Sequence, residues 1–230
     1  MRKREISIPK PTWEILVNSH SLYLEEEPRD AMYRISTRLI DQYWEDDYEV
    51  SNALGVLLLT WNSAFYRFGY FKYDEIEGSI RKHRVTLNLL RERELTTMES
   101  KDQELLRPVF YDFLASLRSI GKKRAKNEGK LTYSPVSVGK ALHLLCPSFF
   151  PLWDDEISKG YGCTWKKSNE SFDSYLRFMR ISYCQMLDLQ KSGAPPEAIA
   201  NVKPLKLLDE FNYLMFTKEL EEMGKLYGQK

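Results

Sequence analysis

Apolar positions recur at three- and four-residue steps along most of the chain, the period of an amphipathic helix. After Pro11-Thr12, the residues Trp13, Leu16, Val17, Leu22 and Leu24 form a short stripe that Pro28 interrupts. Pro28 suits a first helical turn, and from it Met32, Ile35, Leu39, Ile40 and Tyr43 continue the pattern. Asp46-Asp47 opens the next helix. Its Val50, Leu54, Leu57, Leu58, Trp61 and Phe65, extended by Leu59 and Phe68, predict burial on most sides and a stop at Gly69. A further helix runs from Asp74 to about Glu94, with Ile76, Ile80, Leu87 and Leu90 inward.

Ser100-Lys-Asp-Gln103 has the form of a capping box ahead of Leu105, Leu106, Val109, Phe110, Phe113, Leu114 and Leu117. Pro108 should kink that helix or mark its beginning. Ser137–Leu145 predicts a short helix closed by Cys146-Pro147, and another starts near Asp154 and ends at Gly160 or Gly162. Ser171–Lys191 and Pro204–Tyr227 predict long amphipathic helices, parted by Gly193-Ala-Pro-Pro196. No segment alternates as a strand does, so the fold class is all-α, with about eight to ten helices. The 230 residues suit one unit, with a lobe boundary near 119–133.

Charge narrows the function. Lys and Arg number 34 against 33 Asp and Glu, a net charge of +1 that excludes a polycation holding nucleic acid by bulk charge. That total hides a cluster: residues 121–130 hold Lys122, Lys123, Arg124, Lys126 and Lys130 against the single acid Glu128. Such a run is a solvated loop or a phosphate contact. Cys146, Cys163 and Cys184 have no C-x-x-C spacing, and His20, His83 and His143 are scattered, which predicts no disulfide framework, metal or cofactor. Asp154-Asp155-Glu156, lacking a second carboxylate cluster, is a weak metal signal. The longest apolar run, Ala53–Thr60, is far short of a membrane span, and the expected setting is cytoplasmic, with no membrane partner.

The most informative stretch is Tyr133-Ser-Pro-Val-Ser-Val-Gly-Lys-Ala-Leu-His-Leu-Leu-Cys-Pro-Ser-Phe-Phe-Pro-Leu-Trp-Asp-Asp-Glu-Ile157. A turn ending in Val138-Gly139 would precede a helix whose first amides favour an anion, with Lys140 at that end. Past a proline-rich connection, Asp154 begins the next helix. A lysine and a carboxylate on consecutive short helices can converge on one cleft.

Val138-Gly139-Lys140-Ala141, followed by Pro151-Leu152-Trp153-Asp154-x-x-Ile157, resembles the helix-hairpin-helix DNA glycosylase superfamily, and Tyr161-Gly162 echoes its trailing Leu-Gly. The resemblance implies a two-lobed helical fold, DNA as partner, and a damaged base flipped into the cleft between lobes. It implies that Lys140 attacks the anomeric carbon and that Asp154 assists, giving a DNA N-glycosylase with or without a lyase step. The Lys122, Lys123, Arg124, Lys126, Lys130, Val138 and Gly139 positions would hold DNA, and Trp153, Tyr161 or Trp61 would stack on the base.

The chain is a divergent case: Ser134-Pro135-Val136-Ser137 stands where Leu-Pro-Gly-Val would, Asp155-Glu156 replaces the family's histidine, and the four-cysteine iron–sulfur motif is absent. Blander roles stay open beside these. Asp154 reads equally as an N-cap, Lys140 as a solvated or phosphate-binding lysine, His143 as a core histidine, and Trp153 as core packing. The alternative function is a non-catalytic helical module that binds nucleic acid or protein.

Overall fold

The computed structural model describes residues 8–123, 126 and 128–219. It is mostly helical, as the periodicity predicts. Thr12 caps α1 (Trp13–Glu26) by accepting from the Ile15 amide, and α2 (Asp30–Gln42) follows after the Pro28 break. Asp46 caps α3 (Asp47–Trp61), which buries Val50, Ala53, Leu54, Leu57 and Leu58 and leaves Leu59 exposed. That helix stops earlier than its apolar stripe suggests. Asn62 leaves helical geometry, with φ −115° and ψ 32°, and turns its side chain inward. Ser63–Tyr66 is then a separate turn, α4, and Phe68 lies outside in a connecting turn.

Helix α5 (Tyr73–Arg91) packs on α3, and α6 (Asp102–Ser116) packs on α5. Pro108 lies inside α6 instead of opening it. Three short strands, β1 (Gly69–Tyr70), β2 (Ser119–Gly121) and β3 (Leu131–Thr132), form an antiparallel sheet in that order. Runs of two or three residues are too short to display a period of two, which is why the pattern showed no strand. The basic segment 121–130 is mostly the connection between β2 and β3; Arg124 lies outside the described residues.

Helix α7 (Pro135–Leu145) starts two residues before the predicted point, because Ser134 accepts from the Ser137 amide and Pro135 fills the first turn. It packs against α2, α3, α6 and the long α9 (Ser171–Lys191). Between them lies α8 (Asp155–Gly160). The last described elements are α10 (Pro204–Asn212), packed on α1, and a wide π turn over Tyr213–Thr217 that packs on α8. The predicted continuation to Tyr227 falls beyond residue 219, outside the described residues. Buried side chains from Leu16 on α1 to Leu214 in the π turn form one cluster.

Candidate functional site

Helix α7 delivers Lys140 to the wall of a cleft of about 550 Å³, and the N-terminus of α8 delivers Asp154 to the same cleft. The remaining wall comes from the α1–α2 junction (Glu27, Arg29), the end of α3 (Trp61, Asn62), α10 (Asp209) and the π turn (Tyr213, Thr217). Elements far apart in sequence thus surround the two residues picked out by their local motif.

The Lys140 amine donates to Asn62 Oδ1 at 2.6 Å and reaches the Trp61 carbonyl at 3.4 Å. It lies 5.7 Å from the Trp61 ring centroid, within cation–π range. Burial pushes its pKa down to about 8, against the pull of the Asp154 and Asp209 carboxylates. Asp154 is the N-cap of α8, accepting from the Ile157 amide at 2.8 Å, and its second oxygen accepts from the Thr217 hydroxyl at 2.7 Å. The capping role and the cleft position coexist in one side chain. Burial, reinforced by Asp154, raises the pKa of the neighbouring Asp155.

Asp209 is the carboxylate that local reading missed. Burial raises its pKa to about 6, opposed by Lys206 and reinforced by Glu210. Lys206, one helical turn away on α10, is almost wholly buried. Its amine lies 3.2 Å from Glu210, 3.3 Å from Asp30 and 3.5 Å from Asp209, and 4.1 Å from the Tyr23 ring centroid. Burial opposes its charge, yet these carboxylates outweigh it and hold the ammonium firmly protonated. His20 extends the cluster by a 2.7 Å contact with Glu210. The only signal in the sequence was Lys206, Asp209 and Glu210 interrupting an apolar helix.

At the mouth, Arg29 grips Glu27 with two parallel hydrogen bonds of 2.7 and 2.6 Å, and the Tyr213 hydroxyl donates to Glu27 at 2.7 Å. The Arg29 contacts, foremost, hold the Glu27 carboxyl at a pKa of about 2. Trp61 is anchored by donating to the Arg29 carbonyl at 3.1 Å and stacks on Tyr33.

Other predicted site residues fall elsewhere. Val138 and Gly139 are buried within α7, not in a hairpin turn, so neither presents a free amide to a phosphate. Gly139 instead allows a close approach: a Cβ there would lie 2.7 Å from the Trp153 indole. Trp153 is a core residue that donates to the Pro135 carbonyl and packs on Trp165, Tyr175 and Phe178. Tyr161 is equally buried and donates to Asn212 at 2.7 Å. Covered ring faces leave neither residue available for stacking on a base, and of the three aromatic candidates only Trp61 is partly exposed on the cleft.

Lys122, Lys123, Lys126 and Lys130 are exposed on the β2–β3 connection. His143 is a core histidine: the Phe150 carbonyl accepts from its Nδ1 at 2.7 Å, so Nε2 accepts from the Tyr33 hydroxyl at 3.0 Å. Burial pushes its pKa down to about 3 and keeps it neutral.

Among the described residues, no group of three or more His, Cys, Asp or Glu side chains is arranged to hold a metal ion. None of their helices is long and apolar enough to cross a membrane. No family model, curated protein or solved structure matches the chain.

Proposed function

We propose that the cleft takes in one extruded nucleotide of DNA and that the chain is a divergent DNA N-glycosylase with Lys140 as nucleophile. The observation that carries this reading is the Lys140 amine: walled into an open cleft beside Asp154, with its pKa down at about 8. A lysine attacks carbon only as the neutral amine, and at its usual pKa almost none is neutral near pH 7. At a pKa of about 8, roughly a tenth is neutral at pH 7.

In the reaction, the Lys140 lone pair forms a bond to the anomeric carbon as the glycosidic C–N bond breaks. The base departs with the electron pair and takes up a proton. Asp154, anchored by Ile157 and Thr217, stabilises the positive charge that develops on the sugar. Loss of the amine proton and opening of the sugar ring give an imine, which water hydrolyses or which undergoes β-elimination. Asp209, with its pKa near 6, is suited to exchange protons there.

Borohydride trapping on duplexes carrying 8-oxoguanine or an abasic site tests the reading. The expected result is a covalent adduct with the wild type, none with Lys140→Ala, and slower turnover with binding retained in Asp154→Asn. Neither adduct nor base release from the wild type overturns it.

One observation favours a second reading. The Lys140 amine and both Asp154 oxygens already have partners within the chain. That suits a non-catalytic module in which they shape a binding cleft, and Lys140→Ala would then weaken binding with no turnover to lose.

A further inference from the structure

The three-stranded sheet has two dissimilar faces. Gly69, Ser119 and Gly121 are buried on the inner one, where Gly69 lies so close to Ser119 that no side chain fits between them. Directly opposed residues share a face, so Tyr70, Ile120 and Leu131 form a row across the outer one. Residues two apart also share a face. Just beyond the strand ends, Phe68, whose carbonyl accepts from the Lys122 amide, precedes Tyr70 by two residues, and Tyr133 follows Leu131 by two. The outer face is open: Phe68 is 63% exposed, Leu131 47%, Tyr70 44% and Tyr133 42%.

Three aromatic rings presented to solvent on a small sheet are an apolar surface that calls for a partner. The cations beside it identify the partner's charge. Lys122, two residues from Ile120, shares the outer face, while Lys130, one before Leu131 and opposite Gly121, and Arg67, one before Phe68, stand at its edges, all three exposed. The face also adjoins the cleft along the chain at two points: Ser63–Phe65 line the cleft just before Phe68, and Ser134 lines it just after Tyr133.

We propose that this outer sheet face binds an unpaired stretch of nucleic acid, with bases stacked on Tyr70, Tyr133 and Phe68 and phosphates held by Lys122 on the face and by the long side chains of Lys130 and Arg67 at its edges. Exposed aromatics interleaved with cations suit a single strand, because an unpaired base offers its π-face while a duplex keeps it hidden in the stack. A protein partner would find the same apolar row, but Lys122 on the face and Lys130 and Arg67 at its edges favour a polyanion. The inference shares only its ligand class with the glycosylase reading and uses none of the cleft residues.

The test is fluorescence anisotropy of the full chain with a labelled oligothymidine of about 12 nucleotides, against a hairpin duplex of equal length. The oligothymidine is expected to bind more tightly than the duplex. Tyr70→Ala and Tyr133→Ala should each weaken binding about fivefold or more, while Tyr133→Phe, which keeps the ring, stays within about twofold. Lys122→Ala with Lys130→Ala should lower the slope of log affinity against log salt by about 1.4.

Tyr133 lies outside the strands, so its variants remain informative if Tyr70→Ala unfolds the sheet. No wild-type binding, or full binding by Tyr133→Ala and the lysine double variant, overturns the proposal. So does self-association abolished by Leu131→Lys, which would make the occupant a second copy. A failed borohydride trap with sheet-dependent binding intact would remove the glycosylase reading alone.

Discussion

Gly139 and Trp153 touch across the α7–α8 connection so closely that a Cβ on Gly139 would lie 2.7 Å from the indole. The glycine of the Val-Gly-Lys motif thus serves helix packing, and the Trp153 ring, clamped by Tyr175 and Phe178, has nowhere to retreat. Gly139→Ala should lose about 1 kcal/mol, the middle of an overpacking cost of about 1–3 kcal/mol less the roughly 1 kcal/mol that alanine adds to a helix. Urea unfolding measures it. A variant as stable as the wild type would mean that α7 shifts freely against Trp153.

The Lys140 amine should titrate with a midpoint near 8, followed by nitrogen-15 NMR of its Nζ. Its neutral fraction rises about tenfold per pH unit below that point and levels off above it, and trapping by borohydride should follow the same curve. Asn62→Leu removes the oxygen that accepts from the amine at 2.6 Å, so the protonated form loses support and the midpoint moves lower. A midpoint above 10 would place the amine in water.

Lys206→Met leaves Asp30, Asp209 and Glu210 facing one another without their shared cation. Removing one side of a buried ionic cluster should destabilise the chain by about 3–5 kcal/mol near pH 7. The sign with pH follows from Asp209, whose folded pKa, raised by burial to about 6, rises further once Lys206 no longer opposes it. A folded state that holds extra protons gains stability as pH falls, so the deficit should shrink toward pH 5 and widen toward pH 8. Unfolding midpoints of wild type and variant at the two values check it.

Glu27 provides the opposite case. Its folded pKa of about 2, below the usual 4.5, gives stability that is fully present above about pH 4.5 and lost as pH falls toward 2. Half of the Arg29 side chain is exposed, which screens the pair and limits the contribution to about 1–2 kcal/mol. Glu27→Gln should therefore be less stable by that amount at pH 7 and match the wild type near pH 2. Thermal midpoints across that range distinguish the two.

Legibility differed by range along the chain. Ser171–Lys191 stood out because an amphipathic helix writes its buried face at every third and fourth position, and the observed helix has those bounds. Asp154 as an N-cap and His143 as a core residue were also legible, being local choices. The strands were not, because two residues carry no period. Placing Val138-Gly139 in a turn failed because Ser134 and Pro135 start the helix earlier, and a cap two residues upstream outweighs one glycine.

By itself, the sequence determined that this protein is built of helices, where most of them begin and end, and which stretch unites a lysine and an aspartate within 14 residues. Only the tertiary structure decided what surrounds that pair. Asn62, Asp209, Arg29 and Tyr213 reach the cleft from elements widely separated along the chain. It also decided that Trp153 and Tyr161 belong to the core while Tyr70 and Tyr133 face solvent. The reason is physical: helix periodicity and capping are set by neighbours within a turn or two, whereas burial and electrostatic surroundings are set by whichever distant segments pack alongside.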